Sequence, residues 1–132
     1  MFLNQLSYQE KKMFLDLSIH VAKANDELAA EEKAMLSEYC NEMQLPAIEL
    51  FETEPLETVL DYFSLADMHI KKIVLLEIYG LAYVDGSYDE AETKVVEKFV
   101  EATGISAEDN NMIKSSIEEY FILCKKMASV IE

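Results

Sequence analysis

Two segments of this chain match each other without a gap at a fixed offset of sixty residues, and no other feature constrains the fold as much. Residues 11–45 lie over 71–105, with Lys11 over Lys71, Lys12 over Lys72, Leu15 over Leu75, Ala22 over Ala82 and Glu32 over Glu92. Similar side chains fill other places: Leu28 over Tyr88, Leu36 over Val96, Tyr39 over Phe99 and Leu45 over Ile105. Each copy reads helix, acidic loop, helix. The pattern predicts an all-α fold, a compact bundle of about six to seven helices built from two pseudo-symmetric helix-loop-helix repeats. A single domain over 1–132 would hold repeat one at about 7–63 and repeat two at about 67–131.

Local signals place the helices. Ser7-Tyr8-Gln9-Glu10 reads as a capping box, in which Ser7 and Glu10 satisfy orphan backbone N–H groups reciprocally. Asp67, sixty residues on, stands where it should cap the corresponding helix, and Asp89-Glu90-Ala91-Glu92 reads as another box. Pro55 divides the stretch 47–63 into a short helix near 47–52 and a second one that starts with the proline in its first turn. Residues 68–84 are apolar nearly all round, which predicts a central helix. Gly104 stops the next helix, and Ser106 caps the last, whose apolar spacing persists through Met127.

The balance of 11 basic against 26 acidic residues gives a net charge of −15. Such a surface repels phosphate backbones and anionic bilayers, so the expectation is no nucleic acid and no direct membrane insertion. It attracts cations or a basic partner. Met-Phe-Leu-Asn-Gln-Leu at the start has no basic segment of the signal-peptide kind, and Cys40 and Cys124 read as free thiols buried in helices. A cytoplasmic setting follows as an expectation.

The acidic loops are the candidate site. Asp85, Gly86, Tyr88, Asp89 and Glu92 fall on positions 5, 6, 8, 9 and 12 of an EF-hand loop, but positions 1 and 3 would be Leu81 and Tyr83. Half the ligand set is missing, so the loop is not an EF-hand. A metal-free account also uses every residue, with Asp85 and Asp89 as caps, Gly86 in a turn and Tyr88 stapled to the core. The alternative is a divalent-cation site across both loops, drawing on Asp85, Asp89, Glu92, Asp26 and Glu32, with calcium or another divalent cation as the ion. Clustered carboxylates repel one another unless a cation neutralises them.

Two further acids or bases stand out. Glu77 lies on an apolar stripe where its repeat partner is Leu17, so it must be paired, neutral or at a cavity, with His20 or a lysine as candidate partners. His20 also forms an i, i+4 pair with Asp16, and His69 has no evident partner. No nucleophile motif, phosphate loop or His/Cys cluster accompanies them, and the chain reads as a non-enzyme.

These residues resemble a known family. His20-Val-Ala-Lys-Ala-Asn-Asp-Glu-Leu with Glu32, and Gly80-Leu-Ala-Tyr-Val-Asp-Gly-Ser-Tyr with Glu92, resemble the repeated Ala-x-Ala-Asp-Gly-x-hydrophobic-x-x-x-Glu signature of the TerB-like tellurite-resistance family. The N-terminal domain of DjlA-type co-chaperones is similar in this region. The signature's Asp-Gly falls on Asp85 and Gly86, and its hydrophobic and acidic positions fall on Tyr88 and Glu92, and on Leu28 and Glu32. Asn25-Asp26 replaces Asp-Gly in the first copy. The resemblance implies an α-helical domain with an acidic, cation-binding face, acting with other proteins of a bacterial stress-response assembly. The alternative expectation is a protein-interaction module whose acidic surface meets a basic partner without any ion.

Overall fold

In a computed structural model, which describes residues 1–24, 30–45, 54–84 and 88–132, the described residues form a bundle of six α-helices with no strand among them. A 3-10 turn at Leu3–Gln5 leads into α1 (Tyr8–Ala22), α2 (Ala30–Met43), α3 (Leu56–Ser64), α4 (Met68–Tyr83), α5 (Glu90–Thr103) and α6 (Ala107–Ile131). The helix boundaries keep the sequence offset. Helices α1 and α4 open at Tyr8 and Met68, while α2 and α5 open at Ala30 and Glu90 and close at Met43 and Thr103.

The caps explain most of these boundaries. Ser7 Oγ accepts from Glu10 N at 3.2 Å and Glu10 Oε1 accepts from Ser7 N at 2.7 Å, so the box expected there is complete. Asp89 Oδ1 accepts from Glu92 N at 2.8 Å, but only this half of the second box forms, because the Glu92 side chain turns inward. Asp67 occupies the N-cap of α4 without a side-chain cap hydrogen bond. Pro55 is the N-cap of α3 rather than part of its first turn. The short helix expected near 47–52 lies outside the described residues.

Helices α2 and α5 end alike. Gly104 closes α5 in the left-handed conformation at φ 72°, and its N–H bonds to Val100 O at 3.1 Å. Gln44, sixty residues earlier, takes the same conformation at φ 58° although it carries a side chain. Glycine meets the conformational requirement of the stop at one position and glutamine at the other.

Helix α4 is the central element. It packs against α1, α2, α5, α6 and the 3-10 turn, in keeping with its apolar circumference. Val74, Leu75, Ile78 and Leu81 on α4 are fully buried with Phe14 and Leu17 of α1. The third helix of each half differs. Nine-residue α3 lies against both α1 and α5, where Phe63 meets Phe99 edge-on with centroids 5.8 Å apart. The 25-residue α6 lies mainly on α4, and its last turns carry exposed apolar side chains. Of the two thiols, Cys40 is buried and Cys124 only half-buried.

Candidate functional site

The first turns of α2 and α5 bring Glu32 and Glu92 together. Each is the third residue of its helix, and they are sixty positions apart in sequence. Both are almost fully enclosed, at 2% and 1% exposure, and they rank among the largest buried side chains of the protein. A carboxylate in a first helical turn gains from the partial positive charge of the helix N-terminus. Burial works against the charge, and so does a second carboxylate at close range.

For Glu92 the opposing effects win. Burial pushes its pKa up first; the Glu32 charge and then the Asp89 charge add to this, as do hydrogen bonds with both neighbours, and the result is about 9 instead of 4.5. Its Oε2 is buried and finds no hydrogen-bond partner among the described residues. An enclosed carboxylate oxygen without a donor is costly, so a proton or a cation has to serve it. With that proton displaced, the donor set is all oxygen and anionic, which suits a hard cation.

Three of the five expected ligands, Glu32, Asp89 and Glu92, lie among the described residues. Glu32 and Glu92 meet, with Asp89 close enough to influence Glu92 while its own carboxylate caps α5. Asp26 and Asp85 lie outside the described residues. Among the described residues no group of three or more His, Cys, Asp or Glu side chains is arranged to hold a metal ion. The described part of the site is thus a pair of acids with a third beside it.

Beside the site, Tyr88 joins a cluster of aromatic rings. Its ring stacks on Tyr83 with centroids 4.7 Å apart and meets Tyr79 edge-on at 5.9 Å, while Lys114 of α6 lies over its face at 5.4 Å. Burial, and then the Glu118 carboxylate, raise the Tyr83 phenol to about 12. Tyr79 Oη donates to Asn110 Oδ1 at 2.6 Å, which ties this cluster to α6.

Glu77 resolves differently. It is 5% exposed, and its Oε1 accepts from the Met1 α-ammonium at 2.7 Å and from Phe2 N at 3.0 Å. Glu42 joins them, with its Oε1 3.2 Å from the same ammonium and its Oε2 accepting from Leu3 N at 2.9 Å. Burial alone would lower the ammonium's pKa; the hydrogen bond and charge of Glu77, then those of Glu42, outweigh it and raise the group above 8.0. Tyr39 Oη donates to the Glu77 carbonyl at 2.6 Å, and burial together with both carboxylates holds that phenol protonated. Sequence reasoning missed Glu42 here, because nothing in its spacing separates it from a solvated helix face.

This group borders a cleft of about 230 Å³ between α2, α4 and α6, lined by Met35, Glu38, Leu76, Gly80 and Tyr120 among others. His20, one of the expected partners of Glu77, instead lines a separate groove with Lys23, Lys94 and Lys98, and its Nε2 bonds to Glu54 O at 2.8 Å. His69 Nε2 bonds to Gln5 Oε1 at 2.8 Å. No helix among the described residues is long and apolar enough to cross a membrane. Comparison with protein-family models, with curated proteins and with solved structures gives no match.

Proposed function

We propose that this chain is a non-enzymatic, TerB-like binding domain that takes a divalent cation between the first turns of α2 and α5 and acts with other proteins in a bacterial cytoplasmic stress response. One observation carries the ion: Glu92 Oε2 is enclosed beside Glu32 with no hydrogen-bond donor among the described residues. Two facing acids at the centre of a chain are unfavourable as a purely structural device, because an apolar pair of the same volume would cost less. They become favourable when a cation is shared between them. The stress-response setting rests on the resemblance of the two acidic motifs to the TerB-like signature.

In this reading Glu32 and Glu92 supply the anionic oxygens. Calcium is the first choice, since it accepts irregular oxygen shells that water and backbone carbonyls complete. The test is calcium titration followed by calorimetry and amide NMR. Saturable binding with shifts centred on Glu32, Asp89 and Glu92, lost in Glu92→Gln, is the expected result. No shift at millimolar calcium would overturn the ion.

A second reading draws on the absence of a three-ligand group among the described residues. In it the pair shares a proton instead of an ion, and the acidic surface docks a basic protein segment. A basic peptide that shifts the same resonances while calcium does not would favour it.

A further inference from the structure

Helix α6 runs 25 residues, yet its second half leaves Tyr120, Ile122, Leu123, Met127, Val130 and Ile131 exposed, with Val130 at 75%. Buried Ile117 faces α4 from the same helix with half-buried Ile113 and Phe121 beside it, and the exposed stripe begins at the edge of that face, where Tyr120 shares a cleft with Ile117. Ile113, Ser116, Tyr120, Leu123, Met127 and Val130 follow one another at alternating steps of three and four, the seam of a two-helix coiled coil. That side of the helix is open at both levels. Ile113 borders a cleft with Phe2 and Leu76, and Tyr120 borders the one with Met35.

The charges say what covers the seam. The chain as a whole carries −15, but residues 116–131 hold two acids, Glu118 and Glu119, and two bases, Lys125 and Lys126. This is a locally neutral stretch in a self-repelling molecule. Glu119 and Lys126 are seven apart, so both flank the seam along one edge. In an antiparallel pair of identical helices each edge meets its own copy, and Glu119 of one chain comes within reach of Lys126 of the other, twice about the two-fold axis. A parallel pair would set Glu119 and Lys126 beside Cys124 and Ile131 of the other copy and leave both charges without a partner across the seam.

We propose that α6 pairs antiparallel with α6 of a second copy of this chain, about a two-fold axis between Phe121 and Ile122. The axis sets Tyr120 against Leu123 of the second copy, Ser116 against Met127 and Ile113 against Val130. The Val130 end of each helix then beds against the clefts beside α4 of the other molecule. This assignment is independent of any ion at Glu92.

Sedimentation equilibrium from micromolar to millimolar chain is the test. The mass should rise from the 15.1 kDa of one chain toward twice that value. Leu123→Glu should keep the helical circular dichroism and lose the dimer. Glu119→Lys or Lys126→Glu alone should weaken association about tenfold, and the two together should restore it. A chain that stays monomeric throughout, or a dimer indifferent to Leu123→Glu, would overturn the assignment. So would a charge exchange that fails to restore association.

Discussion

Two places in this protein enclose carboxylates, and they solve the same problem in opposite ways. At Glu77 the chain supplies the counter-charge itself: the Met1 ammonium and the N–H of Phe2 both point at one carboxylate oxygen. At Glu32 and Glu92 two acids face each other, and the first consequence is a proton held on Glu92 well into the alkaline range. A buried acid with its cation in place is a structural element. A buried acid pair that holds a proton responds to the pH and the ions of the solvent. The second arrangement is the one that can report or bind.

The same isosteric change should therefore have opposite signs at the two sites. The largest effect is expected at Glu92. Its pKa is raised in the folded state, from 4.5 to about 9, so the folded protein binds more protons in that window. The associated stability is fully present below the unfolded value and is lost as pH rises through the folded one. Without divalent cations, the wild type should lose on the order of 3 kcal/mol between about pH 5 and about pH 8. Glu92→Gln should lose little of this and be the more stable protein at the upper end. Urea denaturation in chelator at both pH values measures it, and an equal slope in the two proteins would remove the contrast. Calcium should raise the melting temperature of the wild type alone.

Glu77→Gln should instead destabilise, by about 2 kcal/mol, because it leaves the Met1 ammonium without its best-enclosed carboxylate. Unchanged stability would mean that Glu77 is dispensable and that the two sites are not opposites. Glu42→Gln sharpens the point within one site. Glu42 is much more exposed than Glu77, and its loss should cost about 1 kcal/mol or less in the same denaturation assay. A larger cost than for Glu77→Gln would reverse their ranking.

The smallest effect lies at the helix stops. Gln44→Gly should gain a few tenths to about 1 kcal/mol by relieving a left-handed residue with a side chain. Gly104→Ala should lose about as much, since a Cβ there meets nothing within 4 Å and the cost is purely conformational. Paired melting curves would show whether the two stops carry equal strain.

Much of this was legible in the sequence because the signals were local. The Ser7–Glu10 box, the Gly104 stop and the apolar circumference of α4 each depend on side chains within one element. The sixty-residue offset carried that reading across the chain and identified Glu32 and Glu92 as counterparts, and the two do meet. What stayed hidden depends on distant partners. The partners of Glu77 stand 75 and 76 positions away, so no spacing rule relates them. Asp67 has the right residue type for a cap yet makes no cap bond, and the Glu92 side chain leaves its expected cap bond for the interior. In both cases tertiary packing chose among options that local sequence left open. The roles read for Asp26 and Asp85 fall outside the described residues.

The chain has seven tyrosines and no tryptophan. Its ultraviolet emission therefore comes from phenols alone, and three of these, Tyr79, Tyr83 and Tyr88, are gathered in one stack beside the α5 N-terminus. Tyr88 stands one residue before Asp89 and four before Glu92. The aromatic cluster is thereby an optical gauge placed next to the acid pair, readable without a label.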